Sequence, residues 1–383
     1  MPQPKRIVII AGEESGDMHA AKFVRELLAN DQRLQISGIG GKHMQSAGVQ
    51  LISDLARFGV TGLSEVIRHL RVIRRAFLDI KAHLLANKPD LLILVDYPGF
   101  NLRLAKFAKQ HGIRVLYYIS PQIWAWKAGR IKTIHQCVDR MAVIFPLAKT
   151  LYETAGVPVT FVGHPLVETI HNAMSQGTTR HELGLPLNKR IVAMLPGSRT
   201  HEIERHMPVL CESASRLSIK FDDLHFVVPL AGTIDPTLVK AYFAKTAIPY
   251  TLINGKAVET VACSDCVVVA SGTASLECAL LQKPMCIIYK ASLLTYLAAS
   301  QLIKVNYLGL CNLLQNKMIV PELLQYDCNP QELTRVMCDL LSNREVAESM
   351  IARLQRLNQS LSAQEADCTI TALIEKELCT RQK

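Results

Sequence analysis

Short apolar runs rich in β-branched residues recur along the chain without a polar residue at every second place. In the first half they are Arg6–Ala11, Leu91–Val95, Arg114–Ile119, Met141–Phe145 and Val159–Val162. In the second half they are Ile191–Leu195, His225–Pro229, Tyr250–Ile253, Cys266–Ala270 and Met285–Tyr289. Runs with no polar face suit strands buried on both sides, and the helix-period segments between them suit the crossovers of parallel sheets. A polar stretch around Ser175-Gln176-Gly177-Thr178-Thr179 separates the two series. The expected class is α/β, with two parallel-sheet domains facing across a cleft: residues 1–170, a linker at 171–189, and residues 190–330. No strand signal follows Pro330, so 331–383 is expected to be helical.

One helical pattern stands apart. Leu63, Val66, Ile67, Leu70, Ile73, Phe77, Ile80 and Leu84 form an apolar stripe, with Arg68, Arg71 and Arg75 opposite and Arg74 at its flank. A basic amphipathic helix of this kind can lie on an anionic membrane surface. An ordinary domain helix with a core stripe and solvated arginines is the plainer alternative.

Composition sharpens the picture in two places. The 383 residues exceed what one core usually serves, and 49% hydrophobic with 20% charged residues is globular rather than disordered. The formal charge of +10 favours an anionic partner, whether nucleic acid, acidic lipid or a phosphorylated substrate. Nucleic acid fits poorly, because the few aromatics are not interleaved with the arginines as a stacking platform requires. The apolar run at Ile7–Ala11 is too short for a signal peptide, and no stretch reaches the roughly 20 apolar residues of a membrane span. Eleven scattered cysteines suit reduced thiols, and Cys263 and Cys266 have no second pair at zinc spacing. A cytoplasmic protein without metal or organic cofactor is expected.

The chemistry clusters at strand ends, where open α/β sheets place their ligands. After the first run comes Gly12-Glu13-Glu14-Ser15-Gly16-Asp17. Its glycines permit a tight turn, while its carboxylates oppose a pyrophosphate, so Glu13, Ser15, Gly16 and Asp17 are expected to serve a sugar acceptor; a plain capped helix start is the alternative. After the run Ile191–Leu195 comes Pro196-Gly197-Ser198-Arg199, with Glu202 beyond it. A small turn with a fixed cation suits phosphate. The most specific string, Ser271-Gly272-Thr273-Ala274-Ser275-Leu276-Glu277, offers open N–H groups and hydroxyls to an anion. Glu277, one turn further, can hold the hydroxyls of a ribose. Asp96, ending Leu91–Val95, is the candidate general base. At its ordinary pKa it would be ionised at neutrality; a turn-initiating Asp before Pro98-Gly99 is the structural alternative. Both tryptophans, Trp124 and Trp126, lie in one strand-end segment, where their faces can stack on sugar or acyl chain or pack in a core. His164, in Gly163-His164-Pro165, either meets the sugar-phosphate ligand or caps a crossover.

GEESGD, DYPGFN, SPQIWAWK, GHP, LPGSR, SGTASLE and NYLGLCNLL stand in this order from Gly12 to beyond Leu314. Together they resemble the lipid-A-disaccharide synthase family. The resemblance implies a GT-B fold of two Rossmann-like domains and an inverting, metal-independent glycosyltransferase at the cytoplasmic face of the inner membrane. It implies UDP-2,3-diacylglucosamine as donor, 2,3-diacylglucosamine 1-phosphate (lipid X) as acceptor, and lipid A disaccharide 1-phosphate and UDP as products. It makes Asp96 the base for the acceptor 6-hydroxyl, and assigns Gly197, Ser198, Arg199, Glu202, Ser271, Gly272, Thr273, Ala274, Glu277 and Asn312 to the donor side. It also implies C-terminal helices that cross between domains and can exchange within a homodimer. Tyr97, Gly99, Glu14 and Lys127 depart from residues common in the family motifs, which touches acceptor detail. Alternatives on the same nucleotide-binding half are a UDP-N-acetylglucosamine 2-epimerase, another GT-B transferase with a lipid-linked acceptor, or a binding protein without transfer.

Overall fold

The apolar runs become strands of two separate parallel sheets. The structure, a computed structural model, describes residues 4–56, 63–121, 130–175, 177–291, 306–362 and 366–379, with side chains of the helix Leu63–Ala86 described from Leu70 onward. The chain divides into two compact units: Met1–Pro165 with Ala363–Lys383, and Leu166–Ser362.

In the first unit the strands are β1 (Arg6–Ala11), β2 (Gln35–Gly40), β3 (Gln50–Asp54), β4 (Leu91–Val95), β5 (Val115–Tyr118), β6 (Arg140–Val143) and β7 (Val159–Phe161). Their spatial order is β3-β2-β1-β4-β5-β6-β7, all parallel. The chain winds outward from β1 in one direction and then, from β4, in the other. The carboxyl ends of β1 and β4 therefore flank the topological switch point. The second unit repeats the plan with β8 (Arg190–Leu195), β9 (Leu224–Leu230), β10 (Tyr250–Asn254), β11 (Cys266–Ala270), β12 (Met285–Tyr289) and β13 (Glu322–Leu324). Its order is β10-β9-β8-β11-β12-β13, so its switch point lies between β8 and β11.

The central strands are sealed on both faces: Ile7, Ile9, Ile10, Leu91 to Val95, Val267, Val269 and Met285 to Ile288 are all buried. Three strands carry no such run. In β2 the small sequence Gln35-Ile36-Ser37-Gly38-Ile39-Gly40 lets the chain approach β1 closely, and a Cβ on Gly38 would collide with the Ile9 carbonyl. The edge strand β3 is only half-buried, and β13 is three residues long.

The stretch 171–189 begins inside the helix Pro165–Ser175 and continues as turns up to β8. Beyond Pro330, the helices Pro330–Ser342 and Arg344–Leu361 belong to the second unit, whereas Ile370–Cys379 packs on the first. Glu377 is buried there between Arg114 and Arg140. Asp367 accepts from the Phe161 backbone N–H at 2.9 Å and pairs with Lys149 at 2.7 Å.

The stripe on Leu63–Ala86 divides along its length. Ile80 and Leu84 are buried, Ile73 and Phe77 half-buried, and Leu70 is 51% exposed, with Arg71, Arg74 and Arg75 also in solvent. The residues Leu63, Val66, Ile67 and Arg68 have no described side chains. No helix among the described residues is long and apolar enough to cross a membrane.

Candidate functional site

Each unit gathers its chemistry at its own switch point. In the first, Glu13 follows β1 and Asp96 follows β4, so the two carboxylates lie near each other at the carboxyl ends of these paired strands, where the chain connections part. Asp96 and Tyr97 both take left-handed backbone conformations, with φ of 45° and 46°. Two successive non-glycine residues in that region cost free energy and persist only when their surroundings hold them. Here the Asp96 carbonyl accepts from the Tyr117 hydroxyl at 2.6 Å and from Asn101 Nδ2 at 2.7 Å. The Asp96 N–H donates to the Tyr118 carbonyl at 2.9 Å. Asn101 Nδ2 also donates to the Val95 carbonyl. Tyr97 lies over Gly12, where a Cβ would collide with its ring, and stacks on Phe100.

This pinning aims a carboxylate that accepts a hydrogen bond from the Tyr97 backbone N–H. Burial pushes Asp96 up to about 6, against the ordinary value expected from sequence. Glu13 rises to about 7, first through burial and then through repulsion from Asp96. Such a pair titrates jointly. A base nearer neutrality accepts a proton more readily while remaining largely ionised above pH 7.

The remaining candidates of the first unit divide. Ser15 is exposed beside Glu13 and Gly16 is buried. Asp17, expected to face a sugar, is instead fully buried and accepts from the N–H groups of Gly41, His43 and Met44. It caps the helix Lys42–Ser46, which leaves its oxygens committed to the fold. His164 is buried against Phe145 and lowered to about 3 by desolvation, with a smaller contribution from His19. It is therefore a neutral imidazole rather than a phosphate-binding cation. Trp124 and Trp126 lie outside the described residues.

In the second unit, Gly197 turns the chain after β8 at a φ of 125°, and a Cβ there would strike Glu202. Glu202 Oε2 accepts from the N–H groups of Ser198 at 2.9 Å and Arg199 at 3.2 Å. Its other oxygen meets the Arg199 guanidinium at 3.3 Å. Glu202, expected among the ligand contacts, thus shapes the turn, while Ser198 and the 54% exposed Arg199 side chain remain accessible. Beneath them the buried His206 accepts from the Lys290 N–H through Nε2 and lies 2.6 Å from the Pro196 carbonyl through Nδ1. Only the tautomer protonated on Nδ1 satisfies both contacts.

After β11, Gly272 has a φ of 150° and starts the helix Thr273–Leu280 without any side-chain cap. Gly272 and Thr273 are exposed and Ala274 half-buried, so the first helical N–H groups keep free hydrogen-bonding capacity. Glu277, half-buried one turn along, makes no hydrogen bond among the described residues, and burial raises its pKa. Ser271 Oγ donates to the Leu308 carbonyl at 3.2 Å, which ties this turn to the segment before Leu310–Gln315.

That segment is organised by a residue the sequence did not single out. Glu322, at the start of β13, accepts from the N–H groups of Leu308 at 2.9 Å and Gly309 at 3.0 Å and from Asn312 Nδ2 at 2.7 Å. Asn312, expected at the donor, is fully buried. Its amide donates to Val320 and Glu322 and accepts from Ile319 and Val320. All four hydrogen-bonding positions are filled by the protein itself. The only trace of Glu322 in sequence is a carboxylate in a short apolar edge strand.

Comparison with known proteins follows the same outline. A family model described as lipid-A-disaccharide synthetase matches residues 7–377. Lipid-A-disaccharide synthase 1 of Legionella pneumophila (strain Lens) is 59% identical over 379 residues, covering 99% of both chains. Among solved structures, the glycotransferase of kitacinnamycin aligns with a TM-score of 0.64 at 15% identity, over 98% of this chain and all of that one. A UDP-N-acetylglucosamine 2-epimerase described as putative, from Listeria monocytogenes, aligns at 0.62 with 12% identity, over 94% of this chain and 97% of that one. Transferases and epimerases share this two-sheet fold, so the fold alone does not choose between them.

Proposed function

The chain belongs to the lipid-A-disaccharide synthase family, a family of GT-B glycosyltransferases, and from that premise we propose a division of the reaction between its two units. The second unit holds the UDP moiety of UDP-2,3-diacylglucosamine. The uncapped start of Thr273–Leu280, with Gly272, Thr273 and Ala274, receives the diphosphate beside Ser198 and Arg199. Glu277 accepts the ribose hydroxyls. Asn312 and Glu202 act through the backbone they fix.

The first unit holds 2,3-diacylglucosamine 1-phosphate and supplies the base. Asp96 removes the proton of the 6-hydroxyl as its oxygen attacks the anomeric carbon of the donor. The bond from that carbon to the diphosphate oxygen breaks, and UDP leaves with the electron pair. Displacement from the face opposite the leaving group inverts the anomeric centre, giving a β-1,6 linkage. Glu13 and Ser15 hold acceptor hydroxyls beside the base. The observation that carries this reading is Asp96 itself: a carboxylate at a switch point, held by a strained and doubly bonded turn, with its pKa moved towards neutrality.

We infer from the lipid substrates that the enzyme works at the cytoplasmic face of the inner membrane. Leu70, exposed among Arg71, Arg74 and Arg75, supports contact of this helix with an anionic surface. Flotation with anionic vesicles should weaken when Arg68, Arg71 and Arg75 are changed to Glu; unchanged flotation removes the contact.

The decisive assay mixes purified protein with both lipid substrates and no added metal. Wild type is expected to form disaccharide and UDP, and Asp96→Asn to bind UDP normally with product formation largely lost. Full activity of Asp96→Asn would remove the base assignment. No product from folded wild type would remove the substrate pair.

A further inference from the structure

The helix that begins at the Asp96 turn, Pro98–Gln110, packs beside Arg130–Cys137 and leaves an open groove of about 250 Å³. Pro98 and Gly99 form its end nearest Asp96, and Arg103, Lys106, Arg130 and Thr133 line the rest. Arg103 and Lys106 are one turn apart on one helix face, and Arg130 approaches from the neighbouring helix. Among the described residues none of the three cations has an ion-pair partner and no carboxylate lines the groove. Lys109, one turn beyond Lys106, is by contrast paired with Asp139 at 2.5 Å. Arg130 also lies near enough for its charge to be felt at Tyr117, whose hydroxyl holds the Asp96 carbonyl. The groove thus runs from the start of the helix that follows Asp96 into a patch of three mutually repelling charges.

Three cations without counter-ions, two of them planar guanidinium groups, match a dianionic phosphate monoester. The acceptor carries such a group on C1, across the ring oxygen from the C5 that bears the attacking 6-hydroxyl arm, so cations along the helix that begins beside the base suit one sugar phosphate. We propose that Arg103, Lys106 and Arg130 form the subsite for the phosphomonoester of the acceptor. This assignment rests on the acceptor reading above and adds to it a reason why the phosphate is required.

The test measures transfer by the full chain to two acceptors, 2,3-diacylglucosamine with and without its 1-phosphate, in wild type, Arg130→Ala and the pair Arg103→Ala/Lys106→Ala. For the phosphorylated acceptor, KM should rise about 10–100-fold, as expected for loss of charged hydrogen bonds. kcat should stay near wild type and UDP affinity should not move. With the unphosphorylated acceptor, variants and wild type should be equally poor. Calorimetric titration with inorganic phosphate in saturating UDP, which fills the donor site and needs no turnover, should show binding to wild type and its loss in the variants. Equal losses on both acceptors, or unchanged KM on the phosphorylated one, would overturn the subsite. So would variants that lose only flotation with phosphatidylglycerol vesicles, because the cations would then serve membrane headgroups. Phosphate titration that distinguishes wild type from variants while wild type makes no disaccharide would sink the substrate pair and leave the phosphate subsite standing.

Discussion

The two units use one topology for opposite electrostatics. At the switch point of the first, β1 and β4 bring together two carboxylates that repel each other and resist ionisation. At the switch point of the second, β8 and β11 bring together a guanidinium and an uncapped helix start, which favour an anion. The supporting groups differ accordingly. Asp96 is held through its own carbonyl by Tyr117 and Asn101, so its carboxylate is not needed to hold the turn and takes a hydrogen bond from the Tyr97 N–H. The turns of the second unit are held by two acids, the buried Glu202 and the half-buried Glu322, that occupy backbone N–H groups on the inner side and leave the outer side open. A parallel sheet supplies the location, and the residues behind the turn decide the sign of what can bind there.

The comparison breaks most sharply at Asp96. Asp96→Asn should lower kcat by about 10²–10⁴-fold, the usual contribution of a general base, with UDP affinity unchanged. The same change should make the protein more stable at pH 8. A carboxyl whose folded pKa lies above its unfolded value contributes stability below about pH 4, which is lost as pH rises through about 6. Removing that charge raises Tm at pH 8 and has little effect at pH 4; a lower Tm at both would show that the carboxylate is structural.

On the donor side, Glu277→Gln should raise donor KM by about tenfold or more through loss of a charged acceptor, with acceptor KM unchanged. A matching rise in acceptor KM would contradict the separation of the two sites.

Glu322→Gln puts an amide N–H against backbone donors. It should weaken UDP binding by about 3–10-fold, on the scale of about one hydrogen bond, although Glu322 itself is placed behind the loop. Wild-type UDP affinity in that variant would disconnect this network from the donor site.

The smallest expected effect is in the pH profile. kcat/KM should fall below an apparent pKa near 6, and Glu13→Gln should change the shape of that limb because the two carboxylates titrate together. An acid limb near 4 in wild type would show that Asp96 is not the titrating base. His19 and His164, lowered to about 4 and about 3, act in the opposite direction on stability. Their contribution is complete above the unfolded value near 6.5 and is lost as pH falls towards the folded values. Between pH 7 and 5 the histidines should therefore lower Tm while Glu13 and Asp96 raise it, so Glu13→Gln/Asp96→Asn should show a steeper fall in Tm over that range than wild type.

The order of the motifs, the buried strands and the two-sheet plan were legible in sequence because fully buried parallel strands leave unbroken apolar runs. The strands β2, β3 and β13 were not legible: one is made of small residues, one is a half-buried edge and one is three residues long. Candidate residues were readable as types at strand ends, but not their direction. Asp17, Glu202 and Asn312 look like ligand contacts in a string of letters, yet tertiary packing turns each towards backbone N–H groups that would otherwise lie unsatisfied. The raised pKa of Asp96 also required the structure, because burial depends on which chain segments close around a carboxylate. Glu322 and the groove of Arg103, Lys106 and Arg130 exist only once distant or separately helical segments are side by side. Sequence thus determined which groups stand at the strand ends; only tertiary structure decided which face a ligand and which hold the loops in place, because that choice depends on neighbours distant along the chain.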